Sequence, residues 1–279
     1  MATDLSSRAA RAFERALLLA ESHKASMVLL HVVDEDLPEA IVEAELRQAR
    51  DYLTDSHSPR AAALGVVLEI RAIAGAAHEA IPETARSRAA DLVVLGAHRR
   101  RLLRDIFVGT TAERVIRSGT SPGLMVNRTP KGRYGSVVAG IDFSPTSCQA
   151  LVTAKTLGLL EEVRLAVVHG FIPLADGMMR YAGIEEDKVR EHVTQSALKA
   201  REQMSEFLSH PELPALRPEV LVEQAAPYEA IARTCDALDA DLVVIGTRGL
   251  TGLKRILLGS VTDEVLRGME RDVLAVPPR

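Results

Sequence analysis

The chain carries one pattern twice. Near its C-terminal end it reads Asp241-Leu-Val-Val-Ile-Gly246-Thr-Arg-Gly249, nine further residues, then Gly259-Ser260. In the first half it reads Asp91-Leu-Val-Val-Leu-Gly96-Ala-His-Arg99, nine further residues, then Gly109-Thr110, at a constant offset of 150 positions. Such a repeat restricts the chain to two copies of one domain. The copies differ at one chemically decisive position, Gly249 against Arg99. Earlier in each copy the offset is 138: Asp4-Leu-Ser6 matches Asp142-Phe-Ser144, and His31 matches His169. The second copy therefore holds about twelve extra residues before Tyr228. Residues 172–183 are the natural place for them, and they predict a flap over the strand ends.

At 279 residues the chain suits two domains of about 140 residues each, placed at 1–129 and 133–279. The polar junction Asn127-Arg-Thr-Pro130-Lys-Gly132-Arg is a short linker, so the two domains should touch. Within the second copy, residues 136–141, 163–168, 218–222, 241–245 and 272–276 read as buried strands. Residues 150–160, 185–209, 228–238 and 260–268 read as helices. Nearly all-apolar strands alternating with helices imply parallel sheets covered on both faces. The fold expected is α/β: two tandem doubly wound five-stranded parallel sheets, strand order 3-2-1-4-5. The first strand of domain one is largely missing, since only Met1-Ala-Thr precedes Asp4. Either the true start lies further upstream, or the first domain is truncated and propped by its partner.

A net charge of −4 offers nothing to attract nucleic acid or an anionic membrane, and no apolar run approaches the ~20 residues of a bilayer span. The two cysteines, Cys148 and Cys235, form no CxxC pair. With no signal-peptide pattern at the start, a reducing, cytoplasmic setting is expected. The P-loop, GxGxxG, GxSxG and HExxH signatures are all absent. His31 and His169 lack partners at metal-ligand spacing and read as strand-end residues meeting solvent or an interface; no metal site is assigned. His57, His192 and His210 carry no signal.

The glycine pattern does carry chemistry. In a doubly wound sheet, ligands bind outside the carboxyl ends of the strands where strand order reverses. That crevice lies between strands one and four, so Asp142 and Gly246 should face it together. Glycines there let backbone N–H groups approach a phosphate, and a helix opening at Gly259-Ser260 adds its own free amides. Ser260 reads as the N-cap of that helix, with Asp263 completing a variant capping box. In the first copy, Thr110-Thr-Ala-Glu113 is a full capping box.

The run Gly246-Thr-Arg-Gly249-Leu-Thr-Gly-Leu-Lys-Arg-Ile-Leu-Leu-Gly259-Ser260-Val-Thr262, together with Gly140-Ile-Asp142-Phe-Ser144, resembles the universal stress protein family in its tandem form. The resemblance implies ATP binding, with or without magnesium, in copies that keep the glycines. Carried over residue by residue, Gly140, Ile141 and Asp142 would line the adenosine end. Gly170 would stand where the family often has a valine against adenine. Ile245, Gly246, Arg248, Gly249, Gly259, Ser260, Val261 and Thr262 would hold ribose and phosphates. Asp4, Gly96, Arg99, Gly109 and Thr110 would form a degenerate site, because an arginine at the second glycine costs roughly 1–2 kcal/mol if forced to positive φ and projects into the phosphate path. A rival role for His98-Arg-Arg-Arg101 with Arg104 is to bind another anion. Family members pair through the last strand, so 124–126 and 273–276 are candidates for the contact between halves; pairing of two chains as a homodimer stays open. The function implied is an adenine-nucleotide-binding regulator of a stress response, with ATP or AMP in the C-terminal domain, and not a metabolic enzyme. The alternatives are a slow ATPase or phosphotransferase using Asp142 for the metal, or a carrier of a hydrophobic small molecule between the domains.

Overall fold

The computed structural model describes residues 1–97, 110–118, 121–173, 185–213, 216–249 and 258–278. The first half runs β1 (Ala2–Thr3), α1 (Ser7–His23), β2 (Met27–Val33), α2 (Glu39–Ala63), β3 (Leu68–Ala74), α3 (Ala77–Ser87), β4 (Val93–Gly96), α4 (Thr111–Ser118) and β5 (Gly123–Val126). The second repeats this plan as β6 (Ser136–Gly140), α5 (Pro145–Thr156), β7 (Arg164–Gly170), α6 (Glu186–Leu208), β8 (Glu219–Glu223), α7 (Pro227–Ala237), β9 (Leu242–Gly246), α8 (Ser260–Gly268) and β10 (Asp272–Val276). Each half has the expected order 3-2-1-4-5, and the halves join edge to edge into one ten-stranded sheet, β3-β2-β1-β4-β5-β10-β9-β6-β7-β8. All pairings are parallel except the join, where β5 and β10 run antiparallel with Val273 opposite Met125 and Leu274 opposite Leu124.

Side chains alternate between the two faces of the sheet, as strand geometry requires. Val137, Ala139, Val244 and Leu274 pack against α1, α2, α5 and α6 through Phe13, Leu53, Leu151 and Met204. Val138, Val243 and Ala275 face α3, α4, α7 and α8 through Ile81, Val115, Ile231 and Val265. Each of these two apolar layers crosses the join, so the domains share their core.

One helix boundary needs correction, and the short first strand is as expected. Helix α5 begins at Pro145, five residues before the expected Ala150. Ser144 caps it by accepting from Ser147 N (3.2 Å), and Pro145 occupies the first turn, where its missing N–H costs nothing. Strand β1 is present but is only two residues long, hydrogen-bonded between β2 and β4. The second domain fills the equivalent place with Ser136–Gly140; the first instead has a cavity of about 450 Å³, lined by Met27, Val28, Ile81, Ala85, Val93 and Val94 among others.

A buried polar cluster closes the seam. Asp272 is fully buried at the start of β10. Its Oδ1 accepts from the backbone amides of Asn127 (2.9 Å) and Arg128 (3.0 Å), and its Oδ2 accepts from the Tyr134 hydroxyl (2.8 Å). The Arg15 guanidinium, itself buried, stands 3.5 Å from Oδ2, lies 3.9 Å over the Tyr134 ring and donates to the Gly132 carbonyl (2.7 Å). One carboxylate thus ties α1, β5, the linker and β10 together. Burial, followed by the Asp272 charge, pushes the Tyr134 hydroxyl well above its usual pKa, so it stays a donor.

Candidate functional site

All twelve residues expected at the intact site line one cleft of about 260 Å³ at the carboxyl ends of β6, β7 and β9: Gly140, Ile141, Asp142, Gly170, Ile245, Gly246, Arg248, Gly249, Gly259, Ser260, Val261 and Thr262. Ser147, Val168, His169, Pro227 and Ile231 line it as well.

Asp142 is held by its own turn. Its Oδ1 accepts from Ser144 N (3.0 Å) and from the Ser147 hydroxyl (2.6 Å), and its amide donates back to Ser147 Oγ (3.2 Å). The turn forces Phe143 to φ = 63°, and the equivalent Leu5 sits at 59°. Left-handed backbone at such residues costs roughly 1–2 kcal/mol and persists only where surroundings dictate it. Here the Asx turn and the helix cap dictate it, and both copies use the same device. Asp4 Oδ1 accepts from Ser6 N (3.0 Å), and Ser6 Oγ accepts from Ala9 N (3.3 Å). Burial pushes the Asp4 carboxyl up, but the Ser6 hydrogen bonds and the Arg8 charge outweigh this and hold it below the usual carboxylate value.

The glycines differ in why they are needed. A Cβ on Gly249 would lie 2.6 Å from Asp142 Oδ2, so this position brings the loop against the carboxylate. One on Gly246 would meet Thr146 Cγ2 at 2.8 Å and its backbone at 3.0 Å, which lets β9 end against the first turn of α5. Gly170 is needed for packing, because a Cβ there would meet Pro227 Cα at 2.8 Å and Ala225 O at 2.9 Å. Gly259 is different. Its φ is −61°, and an added Cβ would be no closer than 3.6 Å to any neighbour, so the backbone tolerates a side chain that the cleft does not need.

The N-cap of α8 is Gly259, not Ser260, and no side chain caps this helix. Gly259 N donates to the Thr247 carbonyl (2.9 Å), and Thr262 Oγ1 donates to the Gly246 carbonyl (2.8 Å), fastening the helix start to the end of β9. The amides of Ser260, Val261 and Thr262 belong to the first turn, where no intrahelical acceptor exists. Asp263 turns away to ion pairs with Arg117 (3.4 Å) and Arg267 (3.2 Å).

The first domain closes the same spot. Thr110 N donates to Glu113 Oε2 (3.1 Å), and Glu113 N donates to Thr110 Oγ1 (3.2 Å). This is the reciprocal box that Thr110-Thr-Ala-Glu113 predicts, and it lays a buried carboxylate across the start of α4. Asp263, one methylene shorter than Glu113, makes no such return bond. A Cβ on Gly96 would lie 3.1 Å from the Arg8 backbone, so β4 ends against α1 as β9 ends against α5. Arg99 and Gly109, with the arginine run at 98–104, lie outside the described residues, as does most of the expected flap.

His31 and His169 do more than meet solvent. Each donates from Nδ1 to the carbonyl across the sheet, Thr3 O (2.9 Å) and Ile141 O (2.7 Å), clipping the end of the neighbouring strand. His169 also packs against Phe143 at 4.2 Å, which supports the strained turn. The roles of Ser147 and His169 were missed in the sequence, although Ser144-x-x-Ser147 and a histidine ending an apolar run are the signals that mark them. Among the described residues, no helix is long and apolar enough to cross a membrane.

Comparison with known proteins agrees with this architecture. A chain from Mycolicibacterium smegmatis named as a universal stress protein is 27% identical over 256 residues, covering 90% of this chain and 80% of its own. Universal stress protein E of Escherichia coli is 25% identical over 230 residues, covering 77% and 69%. The solved structure of a universal stress protein from Archaeoglobus fulgidus covers 99% of this chain and 96% of its own with a TM-score of 0.67 at 18% identity, a likeness of fold. The model of the universal stress protein family matches twice, over residues 1–127 and 133–277, and the chain therefore belongs to that family.

Proposed function

We propose that this protein is a cytoplasmic, nucleotide-responsive regulator of a stress response that binds one adenine nucleotide, ATP in the first instance, in the cleft of its second domain. The observation that carries the reading is the contrast between two equivalent helix starts. At α8 the first-turn residues Ser260, Val261 and Thr262 line the cleft and no side chain caps the helix, a ready anion site. At α4 the threonine and glutamate cap each other, and the Glu113 carboxylate takes up the Thr110 amide. Gly246 and Gly249 supply the close backbone approach, and the apolar Ile141, Val168, Ile231 and Ile245 suit an adenine ring.

Asp142 is the one carboxylate among the described residues lining the cleft. Its Oδ1 is committed to Ser144 and Ser147, which leaves Oδ2 for magnesium carried in with ATP. A single carboxylate does not position an attacking water, so binding rather than turnover is the activity this site suits. The cavity of about 930 Å³ at the seam is lined by Arg11, Arg15, Lys131, Arg133, Asp239 and Asp241 among others, a charged lining unsuited to hydrophobic cargo.

The test is calorimetric titration of ATP into the full chain. Gly259→Val should abolish binding while leaving the fold intact. Covering two amides that would bond phosphate oxygens costs roughly 3–6 kcal/mol, ~10²-fold or more in Kd. Binding unchanged by Gly259→Val would overturn the assignment.

A further inference from the structure

Beside the first turn of α5, three metal-ligating side chains converge. Cys148 lies in the first turn of α5 with its side chain buried. His210 and Glu212 sit in the turn that follows α6, where His210 N donates to Phe207 O (3.1 Å) and Leu213 N to His210 O (2.9 Å). Both of these side chains are exposed. The sulfur is 4.0 Å from His210 Nδ1, and one ligand atom from each of the three residues lies within 4.8 Å of the others. Sixty-two positions separate Cys148 from His210, so no spacing in the sequence announces the group.

We infer that Cys148, His210 and Glu212 form a binding site for a thiophilic divalent cation of the zinc type. The donor set is one thiolate sulfur, one imidazole nitrogen and one carboxylate oxygen, with water as a fourth ligand. This mixed S/N/O set suits zinc and is poor for magnesium or calcium, which take oxygen. The scale also fits. Zinc bonds of about 2.3 Å to sulfur and about 2.0 Å to nitrogen in a tetrahedron place the two ligand atoms roughly 3.6 Å apart. Closing from 4.0 Å asks only a small movement of an exposed turn. A buried sulfur forms the floor, and the imidazole and carboxylate close over it from solvent.

Binding balances simply. The Cys148 thiol gives up its proton to solvent and the sulfur bonds the cation; neutral His210 donates its Nδ1 lone pair; Glu212 contributes one carboxylate oxygen. No oxidant or reductant takes part. The backbone N–H of Glu212, now donating to His210 Nδ1 at 3.3 Å, must turn aside. The site pins the turn after α6 to the first turn of α5, one residue along from Ser147, which holds Asp142.

Cobalt(II) is the probe, titrated without oxidant into the nucleotide-free full chain. One equivalent should give a sulfur-to-cobalt charge-transfer band with the strong visible bands of tetrahedral coordination, and zinc should displace it. Cys148→Ser should lose the band; His210→Ala and Glu212→Gln should weaken binding at least ~10-fold. Cys235→Ser should change nothing, because among the described residues that thiol belongs to no such cluster. Cobalt held at the nucleotide cleft would show no thiolate band. The inference is overturned if no thiolate band forms, if the band survives Cys148→Ser, or if it disappears with Cys235→Ser. Should Cys148→Ser fail to fold, the exposed His210→Ala decides the matter: unchanged affinity there overturns it.

Discussion

Replacing Asp272 with asparagine tests what fastens the two domains together. The substitution keeps size and shape and removes only the charge. Its Oδ1 can still accept from the amides of Asn127 and Arg128, so the linker geometry survives. What is lost is the counter-ion of Arg15, a guanidinium only 5% exposed that faces the carboxylate at 3.5 Å. Removing one partner of a buried pair leaves an uncompensated charge and typically costs 3–5 kcal/mol, several times the effect of an exposed pair. The Tyr134 hydroxyl also loses its acceptor unless it reverses its hydrogen bond. We expect Asp272→Asn to lower stability by about 4 kcal/mol, and Tyr134→Phe by about 1.5–3 kcal/mol, the value of a hydrogen bond to a charged group. The double variant Arg15→Met/Asp272→Asn should recover at least half the loss, since it removes the stranded charge. Urea unfolding, followed by circular dichroism, measures all four proteins. If Asp272→Asn falls within 1 kcal/mol of the parent, or if Arg15→Met brings no recovery, the seam is held by the apolar layers alone and the reasoning fails.

Three further outcomes follow from the geometry. Burial lowers the His57 pKa from its ordinary 6.5, so the unfolded chain binds a proton more readily than the folded one. Stability should therefore fall as pH drops through about 6.5 and towards the folded value, and His57→Leu should flatten that part of a thermal-melt series; an unchanged slope refutes it. Gly249→Ala should displace Asp142, whose Oδ2 would stand 2.6 Å from the new methyl, and weaken ATP binding at least ~10-fold with little change in melting temperature. Equal affinity in calorimetry would show that Asp142 does not help form the site. Arg99→Gly alone should leave the nucleotide count near one per chain, because Thr110 and Glu113 still cap α4. A second equivalent on native mass spectrometry would contradict that.

What could be read from the sequence followed from local physics. Valine-rich strands ending in glycine, at fixed offsets of 150 and 138, carried the repeat and pointed to Asp142, Gly246, Gly249, Gly259 and Ser260, while the other expected lining residues came from the family resemblance. Where the structure departs from this reading, two causes operate: local capping geometry and contacts distant in sequence. Helix α5 starts at Pro145, ahead of the apolar run at Ala150, because the cap between Ser144 and Ser147 lies before that run. Ser260 looks like an N-cap, but Gly259 takes that place, and the difference between a covered and an open helix start rests on one methylene, Glu113 against Asp263. Asp272 reads only as the boundary of a strand, since its partners Arg15 and Tyr134 stand more than a hundred positions away. Gly170 looked like a defect in the adenine wall until Pro227 and Ala225 showed why no larger residue fits. Cys148 and His210 are invisible as a pair for the same reason: only the fold sets the turn after α6 beside the first turn of α5.

The most direct measurement is the nucleotide content of freshly purified protein, denatured and its supernatant chromatographed for adenine nucleotides. The account predicts about one nucleotide per chain, absent from Gly259→Val and retained after a change at Gly109. Two per chain would show that the capped first-domain site binds after all. None, even after incubation with ATP, would contradict the claim that the open start of α8 is a phosphate site.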